Sequence, residues 1–477
     1  MPDTQKEMVV TFKFPSAYTI LFALIAAVAI ATHFVPAGQY DRVANPELGR
    51  DVPVPGSYQE VEPNPQGFFD VVMAPIAGFY DPGSYEARAI DVALFVLIIG
   101  GFLGVVTKTG AIDAGIARAM ARLQGREKWM IPILMALFAA GGTIYGMAEE
   151  SLAFYALIIP VMIAARYDAV TGVAIIMLGA GIGTLGSTIN PFATVIASNA
   201  AGVPFTDGIV LRFVILFACW LACVVYVMRY AEKVRANPDH SIVADRRESN
   251  AAHFLKGRNQ GDGAPDFTGK HALILIIFAA SFAVMIWGVS VGGWWMAEMS
   301  ALFIVASIVV GLIDWMGEEE FTSTFVDGAR DLLGVALVIG IARGIVVVMD
   351  AGNMTDTVLF WAEGAVEGLG EVAFINTMFW LQAGLSFLVP SSSGLAVLTM
   401  PIMAPLGDFS GVERSLVVTA YQSASGLVNL INPTFAVVMG GLALGRVPYE
   451  RWLKFMWPLL LILAVIIMAA LSVATML

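Results

Sequence analysis

The chain has 477 residues, of which 58% are hydrophobic and only 13% charged, with a formal net charge of -12 and a mean hydropathy of +0.78. Soluble proteins carry about 25% charged residues, so the composition excludes a soluble globular protein and requires an integral membrane one. No run of six like charges and no basic patch occurs, which leaves no argument for a nucleic-acid partner or a polybasic lipid site.

Lys6 and Lys13 precede a first span near 17–34, an arrangement that keeps the N-terminus in the cytoplasm. The apolar stretch 18–31 has the look of a signal-peptide core, but multi-span proteins use such a segment as their first helix. In the loop 35–87, rich in Pro and Gly, acidic residues outnumber Arg42 and Arg50, which suits an outer loop with little secondary structure. Residues 67–79 within it suit the membrane interface. A second span near 89–106 returns to Lys108, Arg118, Arg122, Arg126 and Lys128, a cytoplasmic signature. Ile116, Met120 and Leu123 recur at helical spacing among these arginines, and 113–123 reads as a short helix lying along the interface.

Residues 129–140 and 152–164 are apolar runs of about a dozen residues, too short to cross a ~30 Å hydrocarbon core. They flank Gly141, Gly142, Glu149, Glu150 and Ser151, and Lys128 and Arg166 mark both feet as cytoplasmic. The pattern predicts a re-entrant hairpin over about 129–165 that turns near mid-membrane, shielded by protein. Two full spans, the other reading, would put the acidic turn outside.

A glycine-rich segment, 168–200, then contains Ser187, Thr188, Ile189, Asn190 and Pro191. Proline removes one backbone N–H and clashes with the preceding turn, so the helix breaks there and leaves polar backbone groups unpaired. A kink with satisfied polar side chains is the plainer reading. The span 208–228 leads to Arg229, Lys233 and Arg235 and a polar linker. Cys219 and Cys223, four apart on one helix face, cannot bridge each other and read as packing residues.

After spans near 272–291, 295–315 and 332–349, the order of the first half recurs. An acidic interfacial helix, 355–369, precedes apolar runs at 372–388 and 395–406 that flank Pro390, Ser391, Ser392, Ser393 and Gly394, a second hairpin (about 372–406) entering from outside. A second broken helix, 412–445, contains Asn429, Leu430, Ile431, Asn432 and Pro433, and a last span follows Arg446, Arg451 and Lys454. The chain therefore divides into an N-terminal half (1–230), a cytoplasmic linker (231–270) and a C-terminal half (271–477). It reads as an all-α membrane protein of two inverted repeats with nine full spans, N-terminus inside and C-terminus outside. Broken helices at matching positions of two halves point to the substrate and ion site of a transporter.

The candidate site follows from cost. A carboxylate near mid-membrane costs several kcal/mol unless paired, hydrated or protonated, which singles out Glu149 and Glu150 beside Ser151; simple solvation in a watery vestibule is the alternative. Arg343, in an apolar span, suits substrate contact or an ion pair with a glutamate or Asp350. Ser391, Ser392, Ser393 and Gly394 precede a helix, where free N–H groups attract carboxylates, or where serine merely caps. Ser187, Thr188, Asn190, Asn429 and Asn432 offer neutral oxygens suited to sodium, with Asn190 and Asn432 also near the substrate. A proton on Glu149 or Glu150 is the other coupling ion. The four histidines lie at span edges or in the linker and no H-E-x-x-H occurs, which argues against a membrane enzyme. A passive channel could use the same hairpins, and only counterflow separates it from a carrier.

These motifs resemble the C4-dicarboxylate anaerobic carrier family, in its YfcC-like branch, within the wider ion transporter superfamily. The likeness covers nearly the whole chain and rests on 142–151, 187–191, 340–344, 390–394 and 429–433. It implies an elevator-type secondary transporter of the bacterial cytoplasmic (inner) membrane, a homodimer whose mobile domains hold the two hairpins and two broken helices. Relatives couple carboxylate uptake to sodium through Ser-Asn-Thr motifs at the tips; this chain departs there, with Glu149, Glu150 and Ser151 in one tip and three serines in the other. The branch carries dicarboxylates or basic amino acids, including arginine and ornithine in exchange. A serine tip can hold one carboxylate, while Glu149 and Glu150 would repel a second and pair with an ammonium or guanidinium group. The expected substrate is a basic amino acid; a C4-dicarboxylate coupled to sodium or protons is the alternative. No cofactor beyond that ion is expected, and the partners are a small-molecule substrate, membrane lipid and a second copy of the chain.

Overall fold

The computed structural model describes residues 17–45, 50–122, 126–255 and 267–476. In lipid each segment must satisfy its own backbone groups, and helices do so. In chain order they are α1 (Ala17–Ala31), α2 (Phe68–Ala77), α3 (Ile90–Lys108), α4 (Ala111–Arg122), α5 (Met130–Ile144), α6 (Tyr155–Ala164), α7 (Ala169–Leu185), α8 (Ile196–Ala201), α9 (Ile209–Ala236), α10 (Arg247–Phe254), α11 (Gly269–Ser290), α12 (Met296–Asp314), α13 (Glu318–Ala351), α14 (Thr355–Val366), α15 (Glu371–Leu388), α16 (Ser392–Phe409), α17 (Arg414–Val428), α18 (Ala436–Leu444) and α19 (Tyr449–Ala474). The short helix read at 113–123 is α4; Leu123 lies outside the described residues.

Among the described residues seven helical stretches are long and apolar enough to cross a membrane: Ile90–Lys108, Glu127–Ile144, Ile209–Ala236, Gly269–Val289, Met296–Asp314, Glu318–Ala351 and Tyr449–Ala474. The chain is a multi-pass membrane protein. This set differs from the spans read in the sequence for three reasons, the first being that the span read near 17–34 is helical only over Ala17–Ala31, too short to count. Each Asn-Pro break divides its segment into helices too short to count, and the first hairpin arm, expected to stop at 140, continues to Ile144 after a 3-10 turn at Glu127–Trp129. Helices also outrun their apolar stretches, because hydropathy marks only the part at lipid depth. α9 continues to Ala236, and α13 starts at Glu318, where three glutamates complement the positive end of the helix dipole.

The loop after α1 is more ordered than its composition predicts. β1 (Gly38–Gln39) pairs with β4 (Gln59–Glu60), and β2 (Arg42–Asn45) with β3 (Arg50–Pro53), both antiparallel. Side chains pin it onto α14: Arg42 pairs with Asp356 at 2.9 Å, and the Tyr40 hydroxyl donates to Glu363 at 2.6 Å. Burial first, then that hydrogen bond to a carboxylate, pushes the Tyr40 phenol above its ordinary value.

Small residues set the helix spacing, as expected where lipid offers no hydrophobic drive for helices to associate. α3 meets α13 at glycines, where a Cβ on Gly104 would lie 2.9 Å from the Gly328 Cα. α5 meets α7 likewise: a Cβ on Gly183 would lie 2.3 Å from the Ala139 carbonyl oxygen.

α5 and α6 form one helical hairpin and α15 and α16 another. Both feet of the first lie at the C-terminal end of α9, where Arg235 reaches Glu127 at 3.5 Å and Tyr230 donates to Asp168 at 2.6 Å. The feet of the second meet the start of α17, where Arg414 pairs with Asp408 at 2.6 Å and donates to the Ala201 carbonyl at 2.9 Å. Because Gly208, the N-cap of α9, lies beside Ser415, the two pairs of feet lie at opposite ends of α9.

Candidate functional site

Each break is organised by the asparagine that precedes its proline. Asn190 Oδ1 accepts from the N–H groups of Phe192 (2.8 Å) and Ala193 (3.1 Å), capping the turn that follows Pro191, while Nδ2 donates to the Gly142 carbonyl at 3.0 Å. Asn432 repeats the arrangement. Its Oδ1 accepts from the Thr434 N–H at 3.0 Å, and its Nδ2 donates to the Ser386 carbonyl at 3.1 Å. In each half, then, one asparagine side chain holds the turn after its proline and ties it to the first arm of the hairpin; only Asn190 caps a helical turn directly. The first break is also joined directly to α17, the helix that leads into the second. Gln422 Nε2 donates to the Ser187 carbonyl at 2.8 Å, Thr194 donates to Gln422 Oε1 at 2.8 Å, and Ser423 donates to the Leu185 carbonyl at 3.1 Å.

This bracing brings the hairpin tips together around a cavity of about 350 Å³. Glu149 and Glu150 line it, and so do Ser391, Ser392, Ser393 and Gly394, with Arg343 from α13 and Arg88 before α3. Glu150 is only 7% exposed, and its Oε2 accepts from the Ala148 N–H at 3.0 Å. Glu149 is the more open of the pair. On the other tip α16 begins at Ser392 rather than Leu395, because Ser391 acts as the N-cap and accepts from the Gly394 N–H at 3.2 Å. Tyr421 donates to the Ser392 carbonyl. Arg88 donates to the Ala77 carbonyl at 2.8 Å and pairs with Asp81 at 3.0 Å. The backbone N–H groups of Gly83 and Ser84, and then Arg88, hold the Asp81 carboxyl below its ordinary value.

A smaller chamber of about 60 Å³ adjoins the cavity and shares Gly146, Ala148, Phe192, Ser392 and Phe435 with it. Ser151, Asn190 and Asn429 line this chamber, and Ser151 Oγ and Asn429 Oδ1 have no hydrogen-bond partner among the described residues. On its other side the cavity continues, past Arg343 and Gly394, into a vestibule of about 690 Å³ walled by the loop around Tyr40 and by Asp350 and Asp356.

Among the residues singled out in the sequence, the cavity thus unites Glu149, Glu150, Arg343 and 391–394, and the chamber unites Ser151, Asn190 and Asn429. Ser187, Thr188 and Asn432 line neither. Ser187 Oγ lies 2.5 Å from Thr194 Oγ1, Thr188 Oγ1 lies 3.1 Å from Thr143 Oγ1, and both Asn432 side-chain atoms are engaged as described. Sequence reasoning missed Arg88, Phe192, Trp295 and Thr434, which also line the cavity. Only Phe192 and Thr434 carried a signal, as the residues directly after each Asn-Pro.

A sequence profile of the DcuC family, described as C4-dicarboxylate anaerobic carrier, matches residues 14–476. An uncharacterized protein of Haemophilus influenzae is 35% identical over 490 residues, covering 94% of each chain. An Escherichia coli K12 protein named "Putative basic amino acid antiporter YfcC" is 33% identical over 471 residues, covering 92% of each. Among solved structures, that of Neisseria gonorrhoeae MtrF matches with a TM-score of 0.44 at 16% identity, over 97% of this chain and 95% of that one.

Proposed function

The chain belongs to the C4-dicarboxylate anaerobic carrier family, and from that premise we propose that it is a secondary active transporter, symporter or exchanger, for a basic amino acid of the arginine or ornithine type. The observation that carries the substrate assignment is the facing of two tips across one cavity of about 350 Å³, carboxylates on one and a helix start on the other. In this reading the substrate's α-carboxylate lies at the first turn of α16 among Ser392, Ser393 and Gly394, where backbone N–H groups and the helix dipole favour an anion. Its cationic side chain pairs with Glu149. The name of the Escherichia coli relative points the same way.

In the same reading the hairpins are re-entrant, the halves 1–230 and 271–477 are inverted repeats about the linker, and transport follows an elevator mechanism in a homodimer. The protein sits in the bacterial inner membrane with its N-terminus inside and C-terminus outside. The coupling ion is sodium, a reading supported by the Ser151 and Asn429 oxygens in the small chamber that have no hydrogen-bond partner among the described residues, or else a proton carried by Glu149 or Glu150.

A dicarboxylate is the second reading, favoured by the family's description and by Arg88 and Arg343 on the cavity wall. Counterflow in proteoliposomes loaded with unlabelled arginine, ornithine or succinate distinguishes the two. Arginine and ornithine should each drive accumulation of labelled arginine; accumulation of labelled succinate with no response to either amino acid would reverse the assignment. Flux without saturation or counterflow would make the protein a channel.

A further inference from the structure

A second cavity, of about 370 Å³, lies away from the tips, beneath the linker, where α10 meets the end of α9 and the corner between α6 and α7. Asn250 on α10 faces it and is 3% exposed, yet neither its Oδ1 nor its Nδ2 has a hydrogen-bond partner among the described residues. Leaving a buried amide unsatisfied on both sides is costly, so such a group is expected to meet its partner in something that enters the cavity.

The electrostatics name the sign of that partner. Arg166, Arg235 and Arg247 line the cavity, against one lining carboxylate, Asp168. Asp168 is already saturated, accepting from the Thr171 N–H and hydroxyl, Tyr230 and Ser241. Arg235 is engaged with Glu127 and lies over the Tyr167 ring. Arg166 and Arg247 make no ion pair or side-chain hydrogen bond with the described residues. Arg166 is also held at φ 68°, a left-handed position closing α6 that glycine would fill more cheaply.

From these groups we propose that the cavity is a binding site for a purine mononucleotide, separate from the transport site. Two guanidinium groups with no ion pair among the described residues suit a phosphate, which arginine grips by paired N–H donors. An amide presenting donor and acceptor side by side suits the edge of a purine. The volume lies at the small end of the ~300–1,000 Å³ range of ligand pockets, which fits one nucleotide. The site is placed to regulate. Its linker wall bonds to the second half of the chain, where Arg446 donates to the Ser249 carbonyl at 3.2 Å and Arg451 pairs with Asp245, so an occupant would fix the linker across both halves.

Thermal unfolding of the purified full-length protein tests this with AMP, GMP, adenosine and inorganic phosphate. AMP or GMP should raise the midpoint by several degrees, and phosphate or adenosine alone by less. Arg166→Gly should abolish the response while leaving the unliganded midpoint unchanged or higher, since glycine relaxes the left-handed position. Asn250→Leu should weaken the nucleotide response without lowering the unliganded midpoint. No response of the wild type to either nucleotide would overturn the proposal, and so would a response that survives both substitutions. A response to phosphate equal to that of AMP would overturn the nucleotide assignment.

Discussion

The side-chain amide of Asn190 donates to the backbone carbonyl of Gly142, 3.0 Å away and 48 positions earlier in the chain. A single residue thus holds the first hairpin against the first break, and Asn432 does the same for the second with Ser386. Asn190→Ala should remove both cap and strut and cost about 1–3 kcal/mol, read as a lower unfolding midpoint. Asn190→Asp keeps the cap acceptor but loses the donor toward Gly142, so it separates the two contributions. Alanine variants as stable as the wild type would show that the struts do not matter.

Glycine packing gives a sharper contrast. Gly183→Ala would drive a methyl to 2.3 Å from the Ala139 carbonyl oxygen, so α5 and α7 must separate, and a loss of about 3 kcal/mol or failure to accumulate is expected. Gly384→Ala, on α15 with open space around it, should be neutral or stabilising by about 0.5–1 kcal/mol. Equal effects at the two sites would refute the close approach of α5 and α7.

The positions of the hairpin feet can be tested by labelling. Cysteines placed at Lys128 and Arg166, both exposed, should react with an impermeant thiol reagent from the same face of the membrane, and one at Glu371 from the other. Native Cys219 and Cys223 are buried and should contribute no background. Reaction of the Lys128 and Arg166 positions from opposite faces would rule out the first hairpin.

The two tip glutamates should not respond alike. Glu149→Gln removes the more open carboxylate and should weaken arginine binding about ten- to a hundredfold, while a neutral amino acid is affected less. Glu150→Gln retains an oxygen for the Ala148 N–H and should do less harm. A larger loss at Glu150 than at Glu149 would point to the buried carboxylate as the substrate's partner.

A pH effect is expected at the linker. Hydrogen bonding from Arg451 holds the Asp245 carboxyl below the ordinary 3.8. Since its folded value is the lower one, the bridge contributes stability above the unfolded value and loses it as pH falls through the folded one. Protection against hydrogen exchange over 241–254, corrected for the intrinsic pH dependence, should therefore fall in the wild type once the pH drops below the ordinary 3.8, and be low throughout in Arg451→Met. The pair is largely exposed, so global unfolding should shift little.

Much of the frame was legible because lipid leaves few choices. Apolar length marked the spans, and each Asn-Pro marked a break, since proline cannot continue the helix that holds it. The tip residues Glu149, Glu150 and 391–394 were legible by their cost, and they do share one cavity. Other features were hidden because local sequence does not state which polar side chain will be consumed by structure. Ser187 and Asn432 look as available as Asn429 in the chain, yet Thr194 and Ser386 occupy them. Gln422, which ties α17 to the first break, stood in plain view as a polar residue within an apolar run, but its partners lie in the other half. Arg88 gave no signal, because its place on the cavity wall depends on how the loop before α3 folds back on Asp81.

The cavity has a consequence for how the protein is made. Its two tips are far apart in the chain, with Glu150 emerging during synthesis well before Ser391. At roughly 5–20 residues per second, the acidic tip waits about 10–50 s on the ribosome before the partner that faces it exists. Through that interval Glu149 and Glu150 belong to a half-built bundle with no opposing helix start, and Arg343 arrives only late in it. The first half must therefore tolerate two unaccompanied carboxylates, by staying close to water or by carrying protons, until the second half arrives.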